Sequence, residues 1–245
     1  MKVLITNDDG YQSTGLMLLC KKLTEAGHEV VVVAPDSQRS AFSHAVNFFK
    51  VITVNKLEEY CGAIEAYACS GTPADCVKFG ESLNHKYDVV ISGPNNGENY
   101  GTAIIYSGTV AAAEEAALCG MKAIALSSSP YGGSFSSAVE YVVDNLESLV
   151  EIDLDNALIN INVPDIPMAQ IKGVKICKQC MCQLFHDYME KQPGENQWMA
   201  VGDQLPIDDP GSDIDCLKKG YITITPVTLD RTDWKSMQLL KGLER

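Results

Sequence analysis

Hydrophobic positions along the first two thirds of the chain switch between two periods, and that alternation predicts a parallel β-sheet covered by helices. Val3-Leu4-Ile5-Thr6 is a short, mainly apolar run. Leu16, Leu19, Cys20 and Leu23 then recur at helical spacing until Gly27, and Val30 to Val33 is again continuous and β-branched. Together these segments read as a β-α-β unit. Further buried strands are predicted at Asp88 to Ser92, Lys122 to Ser127 and Ala157 to Ile161, each too apolar for a strand with one face in water. Between them, one helix begins at Thr72 with Pro73 in its first position, and a second runs from about Thr109 to Leu118. A third, from about Phe135 to Val150, carries Phe135, Val139, Val142, Leu146 and Leu149 along one side.

From about Gln170 the alternation stops. Residues 173–215 hold short β-like runs, acidic loops and turn formers, and Tyr221 to Thr225 predicts a last strand ending before Pro226. The chain therefore reads as one domain over 1–245, with an α/β core at 1–169 and a β-rich excursion and tail at 170–245. In the tail, Trp234, Met237 and Leu240 are available for burial, either against a partner subunit or within their own chain.

Composition limits the partners. With 245 residues and 46% apolar content, the chain can bury a substantial core. Its formal net charge of −13 argues against a nucleic-acid polymer as partner and means that a small anionic substrate needs a local cation. Nine cysteines would suggest disulfides in a small secreted protein. Here Met1-Lys2 runs straight into a strand, and no apolar stretch reaches membrane length, so a cytoplasmic protein with reduced thiols and no membrane association is expected.

Candidate chemistry starts at Asn7-Asp8-Asp9-Gly10, directly after the first strand. Two readings are open: an exposed Asp-rich turn, or a carboxylate pair at a strand end whose repulsion calls for a cation. Other polar clusters also follow strands, namely residues 34–40, Ser70-Gly71-Thr72-Pro73 and Ser92-Gly93-Pro94-Asn95-Asn96-Gly97. In an open parallel sheet these carboxyl ends share one edge, so the clusters can converge on a single site. Asp8 and Asp9 would supply charge and Ser40 and Asn95 neutral oxygens, a set suited to Mg²⁺, Mn²⁺ or Ca²⁺ rather than zinc. Tyr106-Ser107-Gly108-Thr109 precedes an Ala-rich helix; it reads either as a phosphate seat or as simple capping by Ser107 or Thr109.

Taken together, Asn7-Asp8-Asp9-Gly10, Val33-Ala34-Pro35-Asp36 with Arg39-Ser40, Gly71-Thr72-Pro73 with Asp75-Cys76-Val77, Ser92-Gly93 with Asn95, and Tyr106-Ser107-Gly108-Thr109-Val110 resemble the SurE family. Asn160-Ile161-Asn162-Val163-Pro164, Gly211-Ser212-Asp213 and residues 220–226 followed by Asp230 extend the likeness over almost the whole chain. The resemblance implies a Rossmann-like three-layer core and a β-rich extension used in forming a homodimer or homotetramer. It also implies one divalent metal ion held by Asp8, Asp9, Ser40 and Asn95. The implied activity is hydrolysis of nucleoside 5′- or 3′-monophosphates, with trimming of polyphosphate in some members.

On this reading Asn96, Ser107, Gly108 and Thr109 hold phosphate oxygens, and Asp8 or Asp9 accepts the proton of the attacking water. Arg39 either neutralises phosphate or pairs with Asp36, and His44, four residues beyond Ser40, is a candidate substrate contact. The sequence departs from the usual family text at Ser13-Thr14-Gly15, where Thr14 is expected to cap the helix, and at Ala41-Phe42, which is bulkier than usual. A nucleotide- or phosphate-binding regulator and a broad-specificity acid phosphatase are the alternatives. No Walker Gly-Lys-Ser/Thr sequence occurs, and the adjacency of Asp8 and Asp9 disfavours an aspartyl-phosphate intermediate. Cys177, Cys180 and Cys182, with His186 beyond them, invite a zinc reading, but no second close pair of cysteines completes it, so reduced thiols are the expectation.

Overall fold

Successive residues of each central strand point to opposite faces of the sheet, and both faces are covered, which accounts for the continuous apolar runs. The computed structural model describes residues 1–128 and 134–244. Helices α1 (Thr14–Glu25) and α4 (Ser136–Glu151) pack on one face. There Val3, Ile5, Val30 and Val32 join a buried cluster with Leu16, Leu19, Val139 and Val142. Helices α2 (Pro73–Ser82) and α3 (Gly108–Leu118) pack on the other face, where Leu4, Val31 and Val33 meet Cys76, Val77, Val110 and Ala113.

The sheet has nine strands in the order β3 (Val54–Lys56), β4 (Glu65–Cys69), β2 (Glu29–Pro35), β1 (Lys2–Thr6), β5 (Val89–Asn96), β6 (Ala123–Ser128), β7 (Ala157–Val163), β11 (Ile222–Thr228) and β8 (Val174–Ile176). All neighbours run parallel except β3 on β4 and β11 on β7. This is the α/β, mostly parallel, three-layer architecture expected. From β1 the chain moves outward through β2 to β4 and returns on the other side of β1 as β5, so the strand order reverses at β1 and β5. In open α/β sheets that reversal opens a crevice at the carboxyl ends of the strands.

Two local expectations are corrected. Ser13, not Thr14, caps α1, its side chain accepting from the Leu16 N–H. The last strand does not stop before Pro226 but runs through it to Thr228. Strand β8 pairs only with Ile222 to Ile224, so β11 has an open edge at Pro226, where a residue lacking an N–H is tolerated. Strands β8 and β11 belong to the main sheet, and only the antiparallel hairpin of β9 (Phe185–Lys191) and β10 (Trp198–Gln204) forms a separate one. A short helix, α5 (Asp213–Lys218), capped by Ser212, precedes β11.

The tail forms α6 (Trp234–Leu240), in which no residue is buried, so its apolar side chains do not dock on their own chain. Among the described residues no helix is long and apolar enough to cross a membrane.

Candidate metal centre

The loop after β1 is ordered by Asn7, whose buried side chain closes a turn. Its Nδ2 donates to the Gly10 carbonyl (3.0 Å) and to Ser13 Oγ (2.7 Å), while its Oδ1 accepts from the Gly10 N–H (3.1 Å). Of the two carboxylates presented, Asp8 is only 4% exposed and Asp9 is half-buried. Asp8 Oδ1 accepts the Thr109 hydroxyl at 2.6 Å, and Asp9 Oδ2 accepts the Asn96 N–H at 3.3 Å. Asp8 is thereby tied to the first turn of α3 and Asp9 to the end of β5. Neither forms an ion pair with Lys or Arg among the described residues.

Burial pushes the Asp8 carboxyl up to about 6; the neighbouring Asp9 charge adds to the rise, against the lowering effect of the Thr109 hydroxyl. Asp9 is also raised, chiefly by burial, although hydrogen bonds from Asn96 and Gln38 oppose it. Two close, desolvated carboxylates without a basic partner are electrostatically costly, and a proton or a divalent cation would relieve the cost.

Helix α3 meets Asp8 end-on. Ser107 caps it, accepting from the Val110 N–H at 3.1 Å, while Thr109 turns its hydroxyl to Asp8 instead of capping. A Cβ on Gly108 would lie 2.9 Å from Asp8 Cβ and 3.1 Å from Asp8 Oδ2, so glycine is what lets the first turn of the helix approach the carboxylate. The positive end of the α3 dipole thus faces the acidic pair.

The loop after β5 is shaped by a break in pairing. The register of β5 on β6 shifts between Ser92 and Asn95. At Gly93, with φ of +125°, a Cβ would sit 2.1 Å from the Leu126 carbonyl oxygen. Pairing resumes after the shift, with Asn95 opposite Ser127 and Asn96 opposite Ser128 at the carboxyl end of β5. Asn95 donates its Nδ2 to the Gly97 carbonyl (2.9 Å), an orientation that leaves its Oδ1 as a potential ligand.

From β2, the Arg39 N–H donates to the Asp8 carbonyl at 2.7 Å, which brings residues 38–40 alongside the acidic loop. Gln38 hydrogen-bonds the Asp9 carboxylate and donates Nε2 to Ser40 Oγ at 3.0 Å. Its amide NH₂, a donor with partial positive charge, thus bridges Asp9 and Ser40. The oxygen set of Asp8, Asp9, Ser40 and Asn95 fits a hard divalent ion by chemistry.

Arg39 and His44 are committed elsewhere. The Arg39 guanidinium pairs with Asp36 (3.1 Å), donates to the Ser70 carbonyl (3.0 Å) and lies 5.8 Å from the centre of the Phe42 ring. His44 sits between Glu114 and Glu115, about two turns along α3 from Gly108, with Nδ1 3.0 Å from one carboxylate and Nε2 2.8 Å from the other. The structure therefore brings Asp8, Asp9, Ser40, Asn95, Asn96, Ser107, Gly108 and Thr109 to one edge, whereas both ring nitrogens of His44 face carboxylates away from it.

His44 belongs to a strap, residues 40–47, fastened to two helices. Ser43 bonds the Tyr106 and Ile105 carbonyls through its N–H (3.1 Å) and Oγ (2.7 Å). Asn47 donates N–H and Nδ2 to Asp75 (3.0 and 2.6 Å), and Thr72 Oγ1 donates to the Ala45 carbonyl (2.7 Å). Beneath the loop after β5, buried Asn99 is gripped by Asn160, Asn162 and Ser127. Sequence reasoning passed over Gln38 and this asparagine cluster as site-forming groups. Two Asn in one predicted strand, at 160 and 162, were the signal for the second; nothing marked Gln38.

Comparison with known proteins gives a consistent result. Residues 3–185 match the family model described as "Survival protein SurE". A 5′-nucleotidase SurE from Synechococcus elongatus is 37% identical over 258 residues, covering 100% of both chains. Another from Desulfatibacillum aliphaticivorans is 41% identical, covering 98% of this chain and 97% of its own. Among solved structures, the SurE protein of Aquifex aeolicus superimposes with a TM-score of 0.86 at 31% identity, over 100% of both chains.

Proposed function

The chain belongs to the SurE family, and from that premise we propose that it is a divalent-metal-dependent nucleotidase that hydrolyses nucleoside 5′-monophosphates to nucleoside and phosphate. The observation that carries the metal dependence is the Asp8–Asp9 pair, buried at the switch point of the sheet with no Lys or Arg partner among the described residues. Nucleoside 3′-monophosphates and polyphosphate ends belong to the same proposal as secondary substrates.

Asp8, Asp9, Ser40 and Asn95 are the residues that would hold the ion. When bound, such an ion neutralises phosphoryl charge and makes a coordinated water more acidic. In the reaction a water oxygen bonds to phosphorus as the bond to the ribose oxygen breaks, so negative charge on the phosphoryl oxygens must be held throughout. The amino end of α3 supports that task. Ser107 Oγ accepts from Val110 and keeps its own hydrogen for a phosphate oxygen, and the N–H groups of the first turn point the same way. Thr109 contributes through its backbone, since its hydroxyl is given to Asp8. Asn96, exposed beside Asp9, offers its side-chain amide. Asp9, the more exposed acid, receives the proton of the attacking water, and the departing ribose oxygen takes up a proton from bulk water to give the nucleoside. Arg39 and His44 shape the wall beside the site through their ion pairs rather than by contact with phosphate.

Exposed Trp234, Leu239 and Leu240 on α6 and the projecting β9–β10 hairpin support assembly into a homodimer or homotetramer of single-domain chains. Phosphate release from AMP and GMP after chelator treatment, with Mg²⁺ or Mn²⁺ restored, tests the function. Activity that ignores chelation, or equal turnover of sugar phosphates, would overturn it.

A further inference from the structure

Away from the crevice, a second group of metal-ligating side chains converges where the sequence showed only half of a pattern. The Sγ atoms of Cys180 and Cys182 and a carboxylate oxygen of Asp209 all lie within 4.8 Å of one another. The missing partner of the Cys-x-Cys pair is thus a carboxylate 27 residues further on, not another cysteine knuckle. The side chain of His186 lies outside the described residues.

The two segments are held together independently of any ion. Lys178 forms an isolated parallel bridge with Ser212, and the Asp213 N–H donates to the Lys178 carbonyl at 3.0 Å. The fully buried Asp213 accepts from the Cys180 N–H through Oδ1 (3.0 Å) and from the Gly101 N–H through Oδ2 (2.8 Å). Cys180 is fully buried and Cys182 partly so, and Asp209 pairs with Lys178 at 2.5 Å. Zinc takes thiolate sulfur at about 2.3 Å and carboxylate oxygen at about 2.1 Å, so the donors around a tetrahedral ion stand roughly 3.5–4 Å apart. Donors within 4.8 Å of one another can close onto an ion through small side-chain movements.

We propose that Cys180, Cys182 and Asp209 form a second metal site, of S₂O type, selective for zinc and other thiophilic divalent ions and distinct from the oxygen-lined centre at Asp8 and Asp9. Binding replaces two S–H bonds by two metal–sulfur bonds and releases two protons, and water completes the coordination sphere. Two thiolates and one carboxylate carry three negative charges against the two positive charges of the ion. The Lys178 ammonium, already on Asp209, balances the remainder.

The site connects with the proposed phosphate seat. Gln179 Nε2 donates to the Gly101 carbonyl at 2.8 Å, and Asp213 holds the Gly101 N–H. Gly101 opens the 3₁₀ segment Gly101–Tyr106 that leads into Ser107 and α3. Fixing Cys180 therefore fixes the approach to the helix end. The role is structural: the ion buttresses that end from behind.

Cobalt(II) is the probe, because its charge-transfer band in the near ultraviolet is intense with thiolate ligands and weak in an all-oxygen site. The full-length, reduced, metal-free protein is expected to give this band on adding Co²⁺ and to lose it when Zn²⁺ is added. Cys182→Ser and Asp209→Asn should each weaken Co²⁺ binding at this site by about 10-fold or more, while Asp8→Asn leaves the band intact. Protection of Cys182 by Zn²⁺ from a thiol reagent in the wild type, lost in Asp209→Asn, would support the assignment. Absence of the band in folded, reduced wild type, or its persistence in Cys182→Ser, would overturn it. So would a Cys180–Cys182 disulfide that survives thiol reductant. Failure of nucleotidase activity leaves these spectral readings unaffected, so the two proposals stand or fall separately.

Discussion

Thr109 gives its hydroxyl to Asp8 Oδ1 at 2.6 Å, joining the first turn of α3 to the most buried acid of the crevice. The bond links residues 101 positions apart and fixes the phosphate-seat helix relative to the proposed metal ligands. Burial keeps that carboxylate electrostatically unfavourable when ionised, and the conflict supplies the first prediction.

Asp8→Asn should stabilise the metal-free protein at neutral pH while abolishing turnover. The Asp8 carboxyl is raised from 3.8 to about 6 in the folded chain. Below about pH 4 both states are protonated and no penalty exists; between 4 and 6 the unfolded chain ionises first and the penalty grows. Above 6 it is fully present, at roughly 3 kcal/mol. Thermal melts in chelator should therefore show a higher Tm for Asp8→Asn at pH 7.5 and convergence with wild type near pH 4. In the wild type alone, added Mn²⁺ should raise Tm strongly.

Gly108→Ala should damage the site without dismantling the fold. The new methyl would meet Asp8 Cβ at 2.9 Å, so the helix end and the acidic loop must separate. A cost of about 1–3 kcal/mol is expected, as for other overpacked positions. Activity should fall more than stability suggests, because the same displacement moves Ser107. Denaturant unfolding paired with steady-state kinetics checks the prediction.

Asn7→Ala removes three hydrogen bonds that close the loop carrying Asp8 and Asp9. Loss of buried partners costs about 1–3 kcal/mol. The expected signature is weaker metal affinity, read by titrating activity with Mn²⁺, and a higher kcat/KM at saturating metal than at limiting metal.

The clasp at His44 should respond to pH. Glu114 hydrogen-bonding, opposed by burial and aided by Glu115, raises the half-buried imidazole above its ordinary 6.5; Lys78 shares Glu115, and Arg231 approaches Glu114 at 3.8 Å. A group whose pKa is raised on folding contributes fully below its unfolded value and loses that contribution as pH climbs through the folded one. Proteolysis of the strap should accelerate from pH 6 to pH 9 in wild type and stay fast at both in His44→Ala.

How much of this was readable from the chain depends on distance along it. The strands of the core and the crevice they create followed from local period, because a strand buried on both faces has only one kind of sequence available to it. Asp8, Asp9, Ser40 and Asn95 could be grouped because a parallel sheet puts every strand end at one edge. Asn7, by contrast, showed its residue type but not its task, since a turn-closing amide and a solvated one look alike in text. Pro226 misled because an interior strand rarely tolerates it, and only the pairing of β11 reveals where its neighbour ends. Arg39 carried two open readings, and the structure shows the one with Asp36 as an ion pair at 3.1 Å. Gln38 and the pairing of Cys180 and Cys182 with Asp209 were out of reach, because they depend on how two loops lie against each other rather than on any spacing.

The strap over residues 40–47 is moored to the 3₁₀ segment Gly101–Tyr106 by Ser43, to α3 by His44 and to α2 by Ala45 and Asn47. Its conformational entropy is surrendered when the protein folds, not when a ligand arrives. Molecules therefore meet a standing wall, and little ordering of this segment is left to oppose their arrival.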